Sequence, residues 1–62
     1  MTRAEHYAII RALENVENRE KKMCEEFVKL NPNYQEQRER DRDNFLLGIM
    51  HARYEINRLL AE

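Results

Sequence analysis

The chain's only proline, Pro32, stands between Asn31 and Asn33 almost at the midpoint of the sequence, and neither flank offers another comparable place to turn. Proline disfavours helix at the residue before it, and asparagine suits caps and turns, so the chain is expected to fold back here. The only glycine, Gly48, is isolated among helix-forming residues. Two long segments joined at one turn are what remains, and both carry apolar residues at helical spacing.

Thr2 and Glu5 have the spacing of a capping box, which starts the first helix at about residue 3. At the turn, either Asn31 caps a helix with Pro32 at its first position, or Asn33 is the cap with Glu36 three residues on. The expected architecture is all-α. A helix over about residues 3–30, a turn at 31–33 and a helix over about 33–61 form one antiparallel hairpin domain, 1–62.

At 100° per residue, Ile9, Leu13, Val16, Met23, Phe27 and Leu30 share a stripe on the first helix, flanked by Ala12 and Cys24 and interrupted by Glu20. The matching stripe of the second helix runs through Phe45, Ile49, Ala52, Ile56, Leu59 and Leu60. Followed back toward the turn, it meets Asp41, Arg42, Arg38 and Tyr34, inside the polar run Gln35 to Asn44. Half of that seam is polar. A lone hairpin would therefore leave Met23, Cys24, Phe27 and Leu30 opposite arginines and aspartates.

A second apolar strip, Leu47, Met50 and Tyr54 with Ala61, lies roughly opposite the first on helix two. Two such strips ask for more than one neighbouring helix. A 62-residue domain buries only about 60% of its unfolded surface, and a single cysteine cannot form an internal disulfide. Homo-oligomerisation, most simply a dimer forming a four-helix-type bundle, is the expected remedy, with Met23, Phe27, Leu47, Met50 and Tyr54 at the interface. Gly48 could serve close approach of another backbone or be merely tolerated.

Candidate chemistry is sparse. The two histidines stand about 10 Å apart along the hairpin by helix rise, and His51 with Glu55 supplies at most two metal ligands. No Glu-x-x-His step accompanies Glu14, Glu17 and Glu20, so a di-iron pattern is missing. Cys24 sits on the apolar stripe as a small hydrophobe. Serine is absent, and the only threonine is a cap. No catalytic residue, metal or cofactor is expected.

Eleven Lys and Arg balance 12 Asp and Glu, which disfavours nonspecific nucleic-acid binding. Around Arg38, Arg40 and Arg42 the acids Glu36, Glu39, Asp41 and Asp43 interleave, so this run reads as a solvated face, a polar layer with Glu20, or a contact surface. No run approaches the length of a membrane span, no signal-peptide core is visible, and a reducing cytoplasm fits best.

These features suit a noncatalytic protein–protein interaction module, with Tyr34, Arg38, Arg40 and Arg42 as candidate partner contacts, because tyrosine and arginine commonly anchor interfaces. In size and architecture such a hairpin resembles small regulators and inhibitors encoded by phages and other mobile elements, a likeness that implies a class of action and no target. The rival is a nucleic-acid-binding hairpin dimer in which Lys21, Lys22, Arg38 and Arg42 of two chains combine into a basic stripe.

Overall fold

The computed structural model describes residues 1–61; Glu62, the last residue of the expected domain, lies outside them. Two helices, α1 over Arg3–Leu30 and α2 over Gln35–Ala61, are joined by a 3-10 turn at Pro32–Tyr34. They pack side by side in opposite directions, with His6 meeting Asn57 at one end and Glu20 meeting Arg38 nearer the turn.

Local chemistry sets each boundary. The Thr2 hydroxyl accepts from the Glu5 backbone N–H, and the Glu5 carboxylate accepts from the Thr2 backbone N–H, both at 3.1 Å. That reciprocal pair closes the capping box and satisfies two donors at the helix start. At the other end the Asn31 backbone N–H and its side-chain Nδ2 both donate to the Phe27 carbonyl, at 2.8 and 3.1 Å. Asn31 thus closes α1, and its side chain makes no cap bond to the next element. Pro32 then opens the 3-10 turn, where its missing N–H costs nothing. The Tyr34 N–H donates back to Asn31 O, and α2 begins one residue later. The second helix starts at Gln35 rather than at about residue 33, because the first residues after the proline take the tighter turn.

Inside the hairpin the buried and half-buried positions follow steps of three and four. On α1 the line runs through Ile10, Leu13, Glu17, Glu20, Cys24 and Val28; on α2 it runs through Arg42, Leu46, Ile49, Arg53, Ile56 and Leu60. On each helix the line advances 18 residues in five steps, the 3.6-residue period of a straight α-helix. Cys24 is the single fully buried side chain among the described residues, 1% exposed.

The stripe inferred at 100° per residue is displaced from this line. Met23 and Phe27, expected on the seam, are exposed at its margin, and Leu30 is 83% exposed. Phe45 and Leu59 of α2 are likewise exposed. The seam takes in Glu20 and Arg38, which lay on the expected stripes, and adds Glu17 and Arg53, because these long side chains pair across it and bring their own partners. Oppositely charged pairs tolerate half-burial when both ends are engaged.

The hairpin is long and thin, 46 × 16 × 6 Å between Cα extremes. Its Cα radius of gyration of 14.6 Å exceeds the roughly 10.6 Å of a compact domain of this length. No helix is long and apolar enough to cross a membrane, among the described residues.

Candidate interaction surfaces

Two different surfaces flank the seam. One is polar and laced between the helices. His6 Nε2 meets Asn57 Oδ1 at 2.7 Å, and Arg53 reaches Glu17 at 3.3 Å and Glu14 at 4.0 Å. Nearer the turn this side opens into a groove of about 570 Å³ whose walls include Lys21, Glu25, Glu39 and Arg42, with Cys24 and Val28 among its apolar residues. The groove mixes both signs of charge, so it selects neither an anion nor a cation.

The other surface is apolar. Ile9, Val16, Met23 and Leu30 recur every seven residues on α1, and Phe45, Ala52 and Leu59 do so on α2. Phe27 borders a small groove with Tyr34, Gln37, Arg38 and Asp41, which fixes both helices' contributions to the same side. From Asp41 the α2 stripe continues four residues on to Phe45. Ile9, Met23, Phe27, Phe45 and Leu59 are between 37 and 52% exposed.

Into the centre of this surface comes the cross-helix ion pair. Arg38 Nη1 donates to Glu20 Oε1 at 2.6 Å, with side-chain exposures of only 19 and 16%. The Glu20 hydrogen bond holds the Arg38 guanidinium pKa above its ordinary value, so the charge is permanent. Arg42 takes a different partner. Its Nε and Nη2 both donate to Oδ1 of neighbouring Asp43, at 3.1 and 3.0 Å, a bond that likewise raises its pKa. Glu20 and Arg38 are in direct contact, therefore, while Arg42 is tied to its own helix.

The four arginine and tyrosine positions singled out as partner contacts divide into two pairs. Tyr34 and Arg40 are exposed, the latter in an i to i+4 pair with Glu36 at 3.5 Å. Arg38 and Arg42 are turned inward and engaged. Lys21 and Lys22 are exposed on α1, and Lys21 shares the groove with Arg42, where Glu25, Glu39 and Asp43 offset their charge.

Leu47, Met50 and Tyr54 are exposed, as the sequence suggested, but they lie between about 140° and 180° round α2 from Phe45. They share no surface with Met23 and Phe27. The sequence pattern also passed over Arg53, whose guanidinium joins α2 to two acids of α1, and over the His6–Asn57 contact. Glu55 pairs with Arg58 at 2.8 Å rather than with His51.

Among the described residues no group of three His, Cys, Asp or Glu side chains converges to hold a metal ion. Comparison with known proteins finds no family model, no curated protein and no solved structure that matches the chain.

Proposed function

We propose that the chain is a noncatalytic interaction module, a small regulator or inhibitor that works by occupying a surface of a protein partner. The observation that supports this most is the turn end of the hairpin, where Leu30, Pro32 and Tyr34 are all exposed. Apolar and aromatic groups left in solvent this way are characteristic of contact sites, and Arg40 adds an exposed charge on the first turns of α2. Tyr34 and Arg40 are the anchors of this reading, and Arg38 and Arg42 support them from inside the hairpin. The charge balance argues for a protein rather than a nucleic acid as partner. The setting is a reducing cytoplasm, in which Cys24 stays a thiol.

The test is affinity capture from the native host with mass spectrometry, run in parallel with Tyr34→Ala and Arg40→Ala. Loss of the captured protein with each variant, at unchanged helical circular dichroism, is the expected result. Capture that ignores both substitutions, or salt-sensitive micromolar binding of labelled RNA or DNA by the unmodified chain, would overturn the reading.

A further inference from the structure

The exposed area of the hairpin is 5120 Å². A compact monomer of 7.6 kDa exposes about 4300 Å² by the surface–mass relation. The excess of about 800 Å² is what one partner contributes to a standard protein–protein interface. The polar side of the hairpin is already tied together by His6–Asn57 and by Arg53 with its two acids, so the surface that needs covering is the apolar one.

We infer that this apolar surface, carried by Val16, Met23 and Phe27 of α1 and by Phe45, Ala52 and Leu59 of α2, is covered by a second copy of the same chain, giving a two-fold four-helix bundle. The stripes recur every seven residues, which is the spacing that lets helices of a second hairpin seat in register. The charge in the middle of the surface, Glu20 with Arg38, is neutralised within one chain. A partner therefore needs no complementary charge there, and an identical surface serves. Leu47, Met50 and Tyr54 then lie outside the bundle.

This inference shares with the interaction-module reading only the premise that the hairpin acts through exposed surface. Contact with another protein at Tyr34 and Arg40 can fail while self-association holds, and the reverse.

Sedimentation equilibrium of the full chain at high micromolar concentration, with helicity followed in the same samples, is the first test. A dimer of the wild-type chain is expected, with Phe45→Glu weakening association by at least about tenfold, since it sets an unpaired charge in the contact. Met50→Glu is expected to leave association unchanged. A second measurement uses the wild-type chain and does not depend on any variant folding. In a single hairpin Met23 is 52% exposed and Met50 42%, so peroxide should oxidise Met23 at least as fast. In the bundle that order reverses, with Met23 slower by about tenfold and Met50 unprotected. A helical monomer at high concentration overturns the inference, as does a dimer that protects Met50 and not Met23, or one that Met50→Glu dissociates and Phe45→Glu does not.

Discussion

Arg38 Nη1 and Glu20 Oε1, eighteen residues apart in sequence, are 2.6 Å apart across the seam of the hairpin. The bond ties the first turns of α2 to the middle of α1, and it stands close to the fully buried side chain of Cys24. Its length and its low exposure distinguish it from the solvent-exposed pairs Lys29–Glu25 and Arg40–Glu36, at 3.9 and 3.5 Å. Pairs of the exposed kind contribute little.

Glu20→Ala should lower the melting temperature by several degrees, because Arg38 would keep its half-buried position without a partner. The double substitution Glu20→Met with Arg38→Leu should recover that loss, since it removes both charges and keeps the volume. Thermal melts followed by circular dichroism read both. A pair that merely decorates the surface would leave the two melts alike.

The start of α1 should be sensitive to acid. The Thr2 backbone N–H donates to Glu5, and the Thr2 hydroxyl contact adds to it, so the Glu5 carboxyl is held below the usual glutamate range. A depressed folded value means that the stabilisation is complete above the unfolded pKa and is lost as pH falls through the folded one. Amide exchange in the first turn of α1 should therefore quicken below about pH 4, and Glu5→Gln should remove most of that acid dependence. Equal acid dependence in wild type and variant would assign the effect elsewhere.

Gly48 is exposed in the middle of α2, and an added Cβ would meet nothing within 4 Å. The close approach that a helical glycine can serve does not occur within the hairpin. Gly48→Ala should stabilise the hairpin by about 0.5–1 kcal/mol at low protein concentration, through helix propensity. Denaturant titration at low micromolar concentration measures it, and a destabilised variant would contradict the open geometry.

How legible the molecule was depends on whether a feature is set by local residues or by pairing across the seam. The turn could be read because Pro32 and two asparagines coincide, and the capping box because Thr2 and Glu5 have fixed spacing. The register of the seam could not be read the same way. The apolar stripe that takes in Met23, Phe27 and Leu30 recurs every seven residues, whereas the half-buried line advances 3.6 residues per step and takes in Cys24 and Val28, with Leu13 and Glu20 common to both. Hydrophobicity alone finds Leu13, Ile49, Ile56 and Leu60 but misses Glu17 and Arg53, since charged residues occupy inward positions by pairing with one another. Arg53 shows the same limit: nothing in its local sequence marks it as a bridge to α1.

Arg53 carries a cost along with its bridge. Its Nη2 reaches Glu17, but its Nε is buried with no partner. Arg53→Lys replaces that unsatisfied donor with a methylene and still offers a cation to Glu17. The lysine variant should melt at or above the wild-type temperature, while Arg53→Ala should melt lower because Glu17 loses its partner. If lysine proves as damaging as alanine, the fork geometry of the guanidinium matters more than the orphaned nitrogen.

Cys24 converts the hairpin's opening into a chemical signal. Its side chain is 1% exposed at the centre of the seam, so a thiol reagent can reach it only when α1 and α2 separate locally or the chain unfolds. Modification by an aromatic disulfide should be at least about a hundredfold slower in native buffer than in denaturant, with a rate set by the opening equilibrium. Glu20→Ala, by weakening the neighbouring bond to Arg38, should speed the reaction in proportion to its loss of stability. Gly48→Ala should slow it. If the chain self-associates through the apolar surface, the rate should also fall as concentration rises, because association stabilises the closed hairpin by mass action. A rate independent of both substitutions would mean that Cys24 is reached without parting the helices, and the packing around it would have to be looser than the structure describes.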